Sequence, residues 1–265
     1  MTVKLTFDTY LHAIMSSTVY LVTGANRGIG LAITSQLAAR PDAIVFAGAR
    51  DPSRAAELKK LVKTYPGRVH ILKVLSADRT NNDEAAQEIK KTAGRLDVVI
   101  ANAGISDCFK TSLETQPEDM IRHFDVNTNG PLVLFQATYE LLRASPSPKF
   151  VSVSSGNGSI AIGPELPVNV MAYGMSKAAL NWVTRKLHRD FPDMIIFPIN
   201  PGGADTDMAK GSLERDAGMK ALIQMFPLIT ADESARGILE QIDVATRDTH
   251  GGQFVDYTGL GKWVW

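Results

Sequence analysis

Short apolar runs rich in β-branched residues alternate along the chain with longer segments whose apolar positions recur at helical spacing. The runs Val19 to Val22, Ala43 to Ala47, Val69 to Leu75, Leu96 to Ala101, Phe150 to Ser154 and Met194 to Ile199 predict strands. They are mostly apolar, interrupted at His70, Lys73, Asp97 and Ser152, as suits parallel strands largely covered on both faces. The segments between them predict helices over roughly 28–40, 52–64, 80–93, 117–144 and 172–190. Strands that alternate with helices imply an α/β domain, a doubly wound parallel sheet between two helical layers. Residues 17–265 read as that one domain, and residues 1–16 as an N-terminal extension. Residues 202–230 mix Gly, Asp and Lys with the apolar cluster Leu222, Ile223, Met225, Phe226 and Leu228. They read either as a lid over a pocket or as a helix pair at a contact between subunits.

Composition narrows the function classes. The 265 residues carry 28 Lys plus Arg against 28 Asp plus Glu, so no broad field for nucleic acid or anionic lipid is expected. One cysteine excludes an internal disulfide and, with five scattered histidines, argues against a metal site. No run approaches the ~20 apolar residues of a membrane span. Lys4, Asp8 and His12 interrupt any apolar leader, and a cytoplasmic location is expected.

The first strand runs into Thr23-Gly24-Ala25-Asn26-Arg27-Gly28-Ile29-Gly30 and then a helix. Glycines there permit a tight turn and close backbone approach, and the amides of the helix start favour a pyrophosphate. The second strand ends at Ala49-Arg50-Asp51-Pro52. A carboxylate at this strand end would hold the ribose 2′-hydroxyl of NAD. Here Arg50 offers a guanidinium suited to the 2′-phosphate of NADP, within reach also of Arg27. Asp51 is the rival acidic residue, but before Pro52 it also reads as a helix N-cap.

Tyr173 and Lys177 stand four residues apart on one predicted helix face. An ammonium near a phenol favours the phenolate and moves the acid toward working pH. Ser154 and Ser155 end the fifth strand at the edge where ligands bind, and a hydroxyl there can stabilise charge developing on a carbonyl oxygen. Asn102-Ala103-Gly104 and Asn200-Pro201-Gly202 end two more strands on that edge. Pro131 lacks an amide hydrogen, which predicts a kink and a freed carbonyl at Asn127.

These motifs together resemble the short-chain dehydrogenase/reductase family in its single-domain form, from about Ser17 to Trp265. The carriers are TGANRGIG, ANAG at 101–104, NTNG at 127–130, SS at 154–155, YGMSK at 173–177 and PGGADTDM at 201–208. Arg50-Asp51-Pro52 and Asp256-Tyr257-Thr258-Gly259 are similar to a branch that includes fungal norsolorinic acid ketoreductases. The resemblance implies a Rossmann-type sheet and four catalytic positions. Tyr173 is the general acid in reduction, Lys177 binds the nicotinamide ribose, Ser155 orients the carbonyl, and Asn127 holds a relay water. It implies cofactor contacts from Gly24, Asn26, Arg27, Gly28, Ile29, Gly30, Arg50, Ser76, Asn102, Ala103, Gly104, Tyr173, Lys177, Pro201, Gly202 and Thr206.

There are departures. Ser76 stands where many members place an adenine-contacting Asp, with Asp78 two residues on, and extra residues around Pro164 to Asn169 separate Ser155 from Tyr173. Cys108 reads as an inert thiol, and Trp263 and Trp265 as packing residues.

The expected function is NADPH-dependent reduction of a small or aromatic ketone. Its alternatives are an NAD-linked alcohol dehydrogenase and a non-catalytic NADP-binding sensor. The expected partners are the small-molecule substrate and further copies of the chain, as a homodimer or homotetramer through the helices at 117–144 and 172–190.

Overall fold

The computed structural model describes residues 17–265; the N-terminal extension expected over 1–16 lies outside them. The sheet is formed by β1 (Thr18–Thr23), β2 (Ala43–Ala49), β3 (Val69–Lys73), β4 (Val98–Ala101), β5 (Lys149–Val153), β6 (Ile195–Asn200) and β7 (Val255–Asp256). All neighbours pair in parallel, in the order β3-β2-β1-β4-β5-β6-β7. The order reverses between β1 and β4, and the crevice at such a reversal is where open α/β sheets bind ligands.

The helices are α1 (Gly28–Ala39), α2 (Ala56–Thr64), α3 (Arg79–Ala93), α4 (Pro117–Phe124), α5 (Gly130–Arg143), α6 (Met171–Asp190), α7 (Asp207–Arg215), α8 (Ala217–Met225) and α9 (Ala231–Val244). Strand side chains alternate between two cores. Tyr20 and Val22 join Ile33 and Leu37 of α1 and Ile238, Leu239 and Ile242 of α9 on one face. Val19 and Leu21 join Ile89 of α3, Leu134, Phe135 and Leu142 of α5, and Leu187 of α6 on the other. Every residue of β2 is buried, which explains its unbroken apolar run.

Three expectations are revised. The helix predicted over 52–64 divides into a 3₁₀ turn at Pro52–Arg54 and α2, because Ala55 leaves helical geometry at φ −85°, ψ 66°. The helix predicted over 117–144 is broken at Asp125–Asn129 by a π turn, where Gly130 N–H reaches back to the Asp125 carbonyl. That turn takes the place of the simple kink expected from Pro131, and π turns often mark functional positions. Finally, α9 and β7 lie beyond the predicted elements. The Thr230/Glu233 capping box is a sequence signal for α9, whereas β7 is only two residues long.

Candidate active site

The loop after β1 is built for close backbone approach. Gly24 and Gly28 have φ of +64° and +54°, and a Cβ on Gly30 would lie 2.3 Å from the Gly24 carbonyl oxygen. The ends of β1 and β4 are stitched together. Thr23 Oγ1 accepts from the amides of Asn102 and Ala103, each at 3.0 Å, and Asn102 Nδ2 donates to the Thr23 carbonyl at 2.9 Å. No side chain caps α1, so its first amides are left for an anion, which fits a pyrophosphate. Asn26 and Arg27 are exposed, and Ile29 is half-buried against the core.

At the end of β2, Ala49 is buried and Arg50 is exposed, with no ion pair among the described residues. Asp51 is engaged elsewhere. Its carboxylate accepts from Ser53 N at 3.0 Å and Ser53 Oγ at 2.5 Å, bonds that hold it below the usual carboxylate range. Asp78 likewise caps α3 by accepting from Asn81 N at 2.9 Å. Ser76 lies beside a narrow crevice it shares with Thr23, Ala101, Ala103 and Pro131, and a Cβ on Gly130 would be 3.0 Å from its own.

Four sequence-predicted residues gather beyond the strand ends. Lys177 is 4 % exposed and donates from Nζ to the Val153 carbonyl at 2.8 Å. Its Nζ lies 5.7 Å from the Tyr173 ring centroid. Gly104 keeps space here, since a Cβ on it would be 3.6 Å from Lys177 Nζ and 3.1 Å from Asn127 Oδ1. Asn127 is fully buried in the π turn. Its Oδ1 accepts from Ile105 N at 2.8 Å, and its Nδ2 donates to the Ile105 carbonyl and to Ser176 Oγ, both at 2.9 Å. Ser176 Oγ in turn donates to the Tyr173 carbonyl at 2.7 Å.

The two serines divide their roles. Ser154 is buried and bonds Asn181 Oδ1 at 2.6 Å. Ser155 Oγ accepts from Asn157 N at 3.2 Å and Asn157 Nδ2 at 3.3 Å, which leaves its own hydrogen to be donated. The Ser155 hydroxyl is a side-chain hydrogen-bonding neighbour of the Tyr173 phenol. Burial raises the Tyr173 phenol above its ordinary value, and the Ser155 hydroxyl works against the rise. The expectation that Lys177 depresses the phenol is therefore corrected: its ammonium is held on the Val153 carbonyl, and burial lowers it to about 8.

Thr206 N-caps α7 by accepting from Ala209 N at 3.3 Å, and its methyl lies 3.2 Å from a Cβ built on Gly28. Arg27 of the first loop pairs with Asp207 of α7 at 3.5 Å, both exposed. Gly202 has φ +74°, and the Pro201 carbonyl accepts from Ser234 Oγ at 2.6 Å. The segment holding α7 and α8 is tied down by Asp216, 2 % exposed. Its carboxylate accepts from Asn169 N at 2.7 Å, Asn169 Nδ2 at 3.2 Å and Gly218 N at 3.0 Å. The residues between Ser155 and Tyr173 line a cavity of about 420 Å³ with Asn157, Pro164, Leu166, Val170, Met171 and Met175.

Cys108 is buried and its thiol is pushed up by burial, as fits an inert residue. Asn157, Asn181, Asn200, Asp256 and Trp263 also support the site and were not singled out from the sequence as site residues. Their only signal was proximity to motifs. Among the described residues no His, Cys, Asp or Glu cluster could hold a metal, and no helix is long and apolar enough to cross a membrane.

A family model described as short chain dehydrogenase matches residues 18–217. A short chain dehydrogenase of Penicillium aethiopicum is 36 % identical over 92 % of this chain and 98 % of its own. The norsolorinic acid ketoreductase of Aspergillus parasiticus is 33 % identical over 94 % of this chain and 91 % of its own. The crystal structure of an NADPH-bound carbonyl reductase from chicken fatty liver superposes with a TM-score of 0.81. It is 30 % identical and covers 93 % of this chain and 99 % of that one.

Proposed function

Because the chain belongs to the short chain dehydrogenase family, and so is an NAD(P)-dependent oxidoreductase, we propose that it reduces ketones with NADPH. The observation that carries this reading is the Ser155 hydroxyl, held by Asn157 beside the Tyr173 phenol at the crevice of a parallel sheet.

The nicotinamide supplies the hydride. The chain's own part is binding, orientation and proton supply. The uncapped start of α1, with Gly24, Asn26, Gly28, Ile29 and Gly30, would hold the pyrophosphate. Asn102, Ala103, Gly104 and Ser76 would line the adenosine side, and Pro201, Gly202 and Thr206 the nicotinamide side. Arg50, joined by Arg27, would take the 2′-phosphate, while Asp51 is occupied by Ser53. A phenol raised by burial keeps its proton at neutral pH and so serves as a donor. Ser155 donates to the carbonyl oxygen as negative charge builds there. Lys177, mostly protonated at neutral pH, holds the ribose and resupplies Tyr173 through the Asn127 region.

The apolar residues Leu222, Ile223, Met225, Phe226 and Leu228 suit a bulky or aromatic ketone; the cavity beside Asn157 is lined by none of Ser155, Tyr173 and Lys177. The α7–α8 segment, held to Asn169 by Asp216, is proposed as a lid over the crevice at Ser155. The exposed Ile121, Phe124, Met171 and Trp182 of α4 and α6 suit a second copy of the chain.

The test is NADPH oxidation followed against a panel of aromatic and aliphatic ketones. Tyr173→Phe abolishes turnover while NADPH still binds; near-normal turnover in that variant would reject the assignment.

A further inference from the structure

Asp256 is a carboxylate 6 % exposed that pairs with no cation among the described residues. Four donors satisfy it instead. Oδ1 accepts from Thr258 N at 3.0 Å and Thr258 Oγ1 at 2.6 Å. Oδ2 accepts from Asn200 Nδ2 at 2.7 Å and Trp263 Nε1 at 2.6 Å. Asn200 passes the interaction on, because its Oδ1 accepts from Gly156 N at 2.9 Å. Gly156 directly follows Ser155, and the peptide plane between them is rigid. Fixing the Gly156 N–H therefore fixes ψ of Ser155, and with it the direction of the side chain.

The same turn is covered from outside. The Trp263 indole lies on Gly156 so closely that a Cβ there would be 2.2 Å from Cη2. The neighbours of Trp263 are independently seated. The Val264 carbonyl accepts from Ser159 Oγ at 2.7 Å, and the Trp265 carbonyl from Ala161 N at 3.1 Å. Phe254 contacts both indoles at centroid distances of 6.0 and 5.6 Å, and Arg185 lies 4.8 Å over the Trp265 ring. The turn bearing Ser155 thus sits between a buried amide below and an aromatic ring above.

We propose that Asp256 and Trp263 are positioning residues that set the Ser155 hydroxyl through Asn200 and Gly156. A carboxylate that draws on the Asn200 amide hydrogens strengthens its oxygen as an acceptor, so the chain of bonds is cooperative. Asp256 lies 56 residues from Asn200 and Asn200 44 from Gly156, yet the three meet in one chain of bonds. The kinetic part of the test rests on the ketone-reductase reading; the exchange part does not.

Trp263→Phe removes the N–H donor together with the distal indole atoms Cζ2, Cη2 and Cζ3 that lie on Gly156. Asp256→Asn keeps the shape and removes the charge. Each lowers kcat for ketone reduction about tenfold, the scale of one lost buried bond, and leaves KM for NADPH unchanged. In a Ser155→Ala background the same substitutions lower kcat no further, because the group through which they act is gone. A merely structural role gives equal losses in both backgrounds and overturns the proposal. Amide hydrogen exchange gives the second readout. Exchange at Gly156 accelerates at least about tenfold in Trp263→Phe while Val98–Ala101 amides keep their protection. Unchanged exchange at Gly156 overturns the proposal as well. A wild-type protein that reduces no ketone removes the proposed function, and the exchange result then decides this inference alone.

Discussion

Lys177→Met tests whether the buried ammonium is held at a cost. Burial pulls Lys177 from 10.5 to about 8, and the group is only 4 % exposed, so solvent does little to relieve it. At about 1.4 kcal/mol per pH unit of displacement, keeping the charge in the folded chain costs about 3 kcal/mol at neutral pH. Methionine matches the length and removes the charge, but it leaves the Val153 carbonyl without its donor, a loss of about 1 kcal/mol. The variant is therefore about 2 kcal/mol more stable at pH 7, a rise in Tm of about 4 °C for a chain of this size.

The pH dependence distinguishes this cause from better packing. The folded value lies below the unfolded one, so between pH 8 and 10.5 the unfolded chain binds more protons and the wild type gains stability as pH rises. The methionine variant lacks this gain. Its advantage is full below pH 8, shrinks through that window and by pH 10.5 has reversed to a deficit of about 1 kcal/mol, the lost bond to Val153. Denaturant titrations of both proteins at pH 7, 9 and 10.5 without cofactor measure the difference. A variant that is less stable at pH 7, or whose advantage does not vary with pH, refutes the reasoning. Turnover falls to background in either case if Lys177 holds the ribose as proposed.

Arg50→Ala raises KM for NADPH about 10- to 100-fold, the worth of charge-assisted bonds to a phosphate, and leaves KM for NADH within about twofold. Equal changes with both cofactors count against the 2′-phosphate assignment. Gly30→Ala places a methyl 2.3 Å from the Gly24 carbonyl and forces the first loop apart; fluorescence titration shows NADPH affinity lost at least about tenfold. Asp216→Ala frees Asn169 and Gly218, so hydrogen exchange quickens across 207–225 and KM for the ketone changes while KM for NADPH does not. Phe135→Ala, which empties a ring packed on Phe150 at 5.1 Å and Phe191 at 4.9 Å, costs about 3–5 kcal/mol in urea unfolding.

The sheet was legible because parallel strands need long apolar runs, and β1 to β6 all show them within a few residues of their observed limits. Helix interruptions were less legible. Ala55 and the π turn at Asp125–Asn129 break patterns that keep their apolar spacing, so periodicity carries straight across them. The two-residue β7 has no periodicity to read, and its place depends on pairing with Ile199 and Asn200. At the site, spacing suggested the pair Tyr173 and Lys177 and the end of β5 suggested Ser154 and Ser155, while the choice of Ser155 came from the family resemblance. The bond from Lys177 to Val153 could not be read this way, because it depends on how deeply α6 packs against β5. Asp51 takes the cap role that its place before Pro52 suggested, with its Oδ1 on Ser53. The groups that hold the Gly156 amide next to Ser155 lie still further from local pattern, in Asn200, in Asp256 of β7 and in Trp263 beyond it.

The seating of Val264 and Trp265 on Ser159 and Ala161 has a practical meaning for engineering. A designer who exchanges the 156–170 segment to change substrate range also exchanges the floor on which the last residues rest. Chimeras should therefore take both stretches from the same parent. A donor loop without its matching tail will carry the right cavity wall and a misaimed serine.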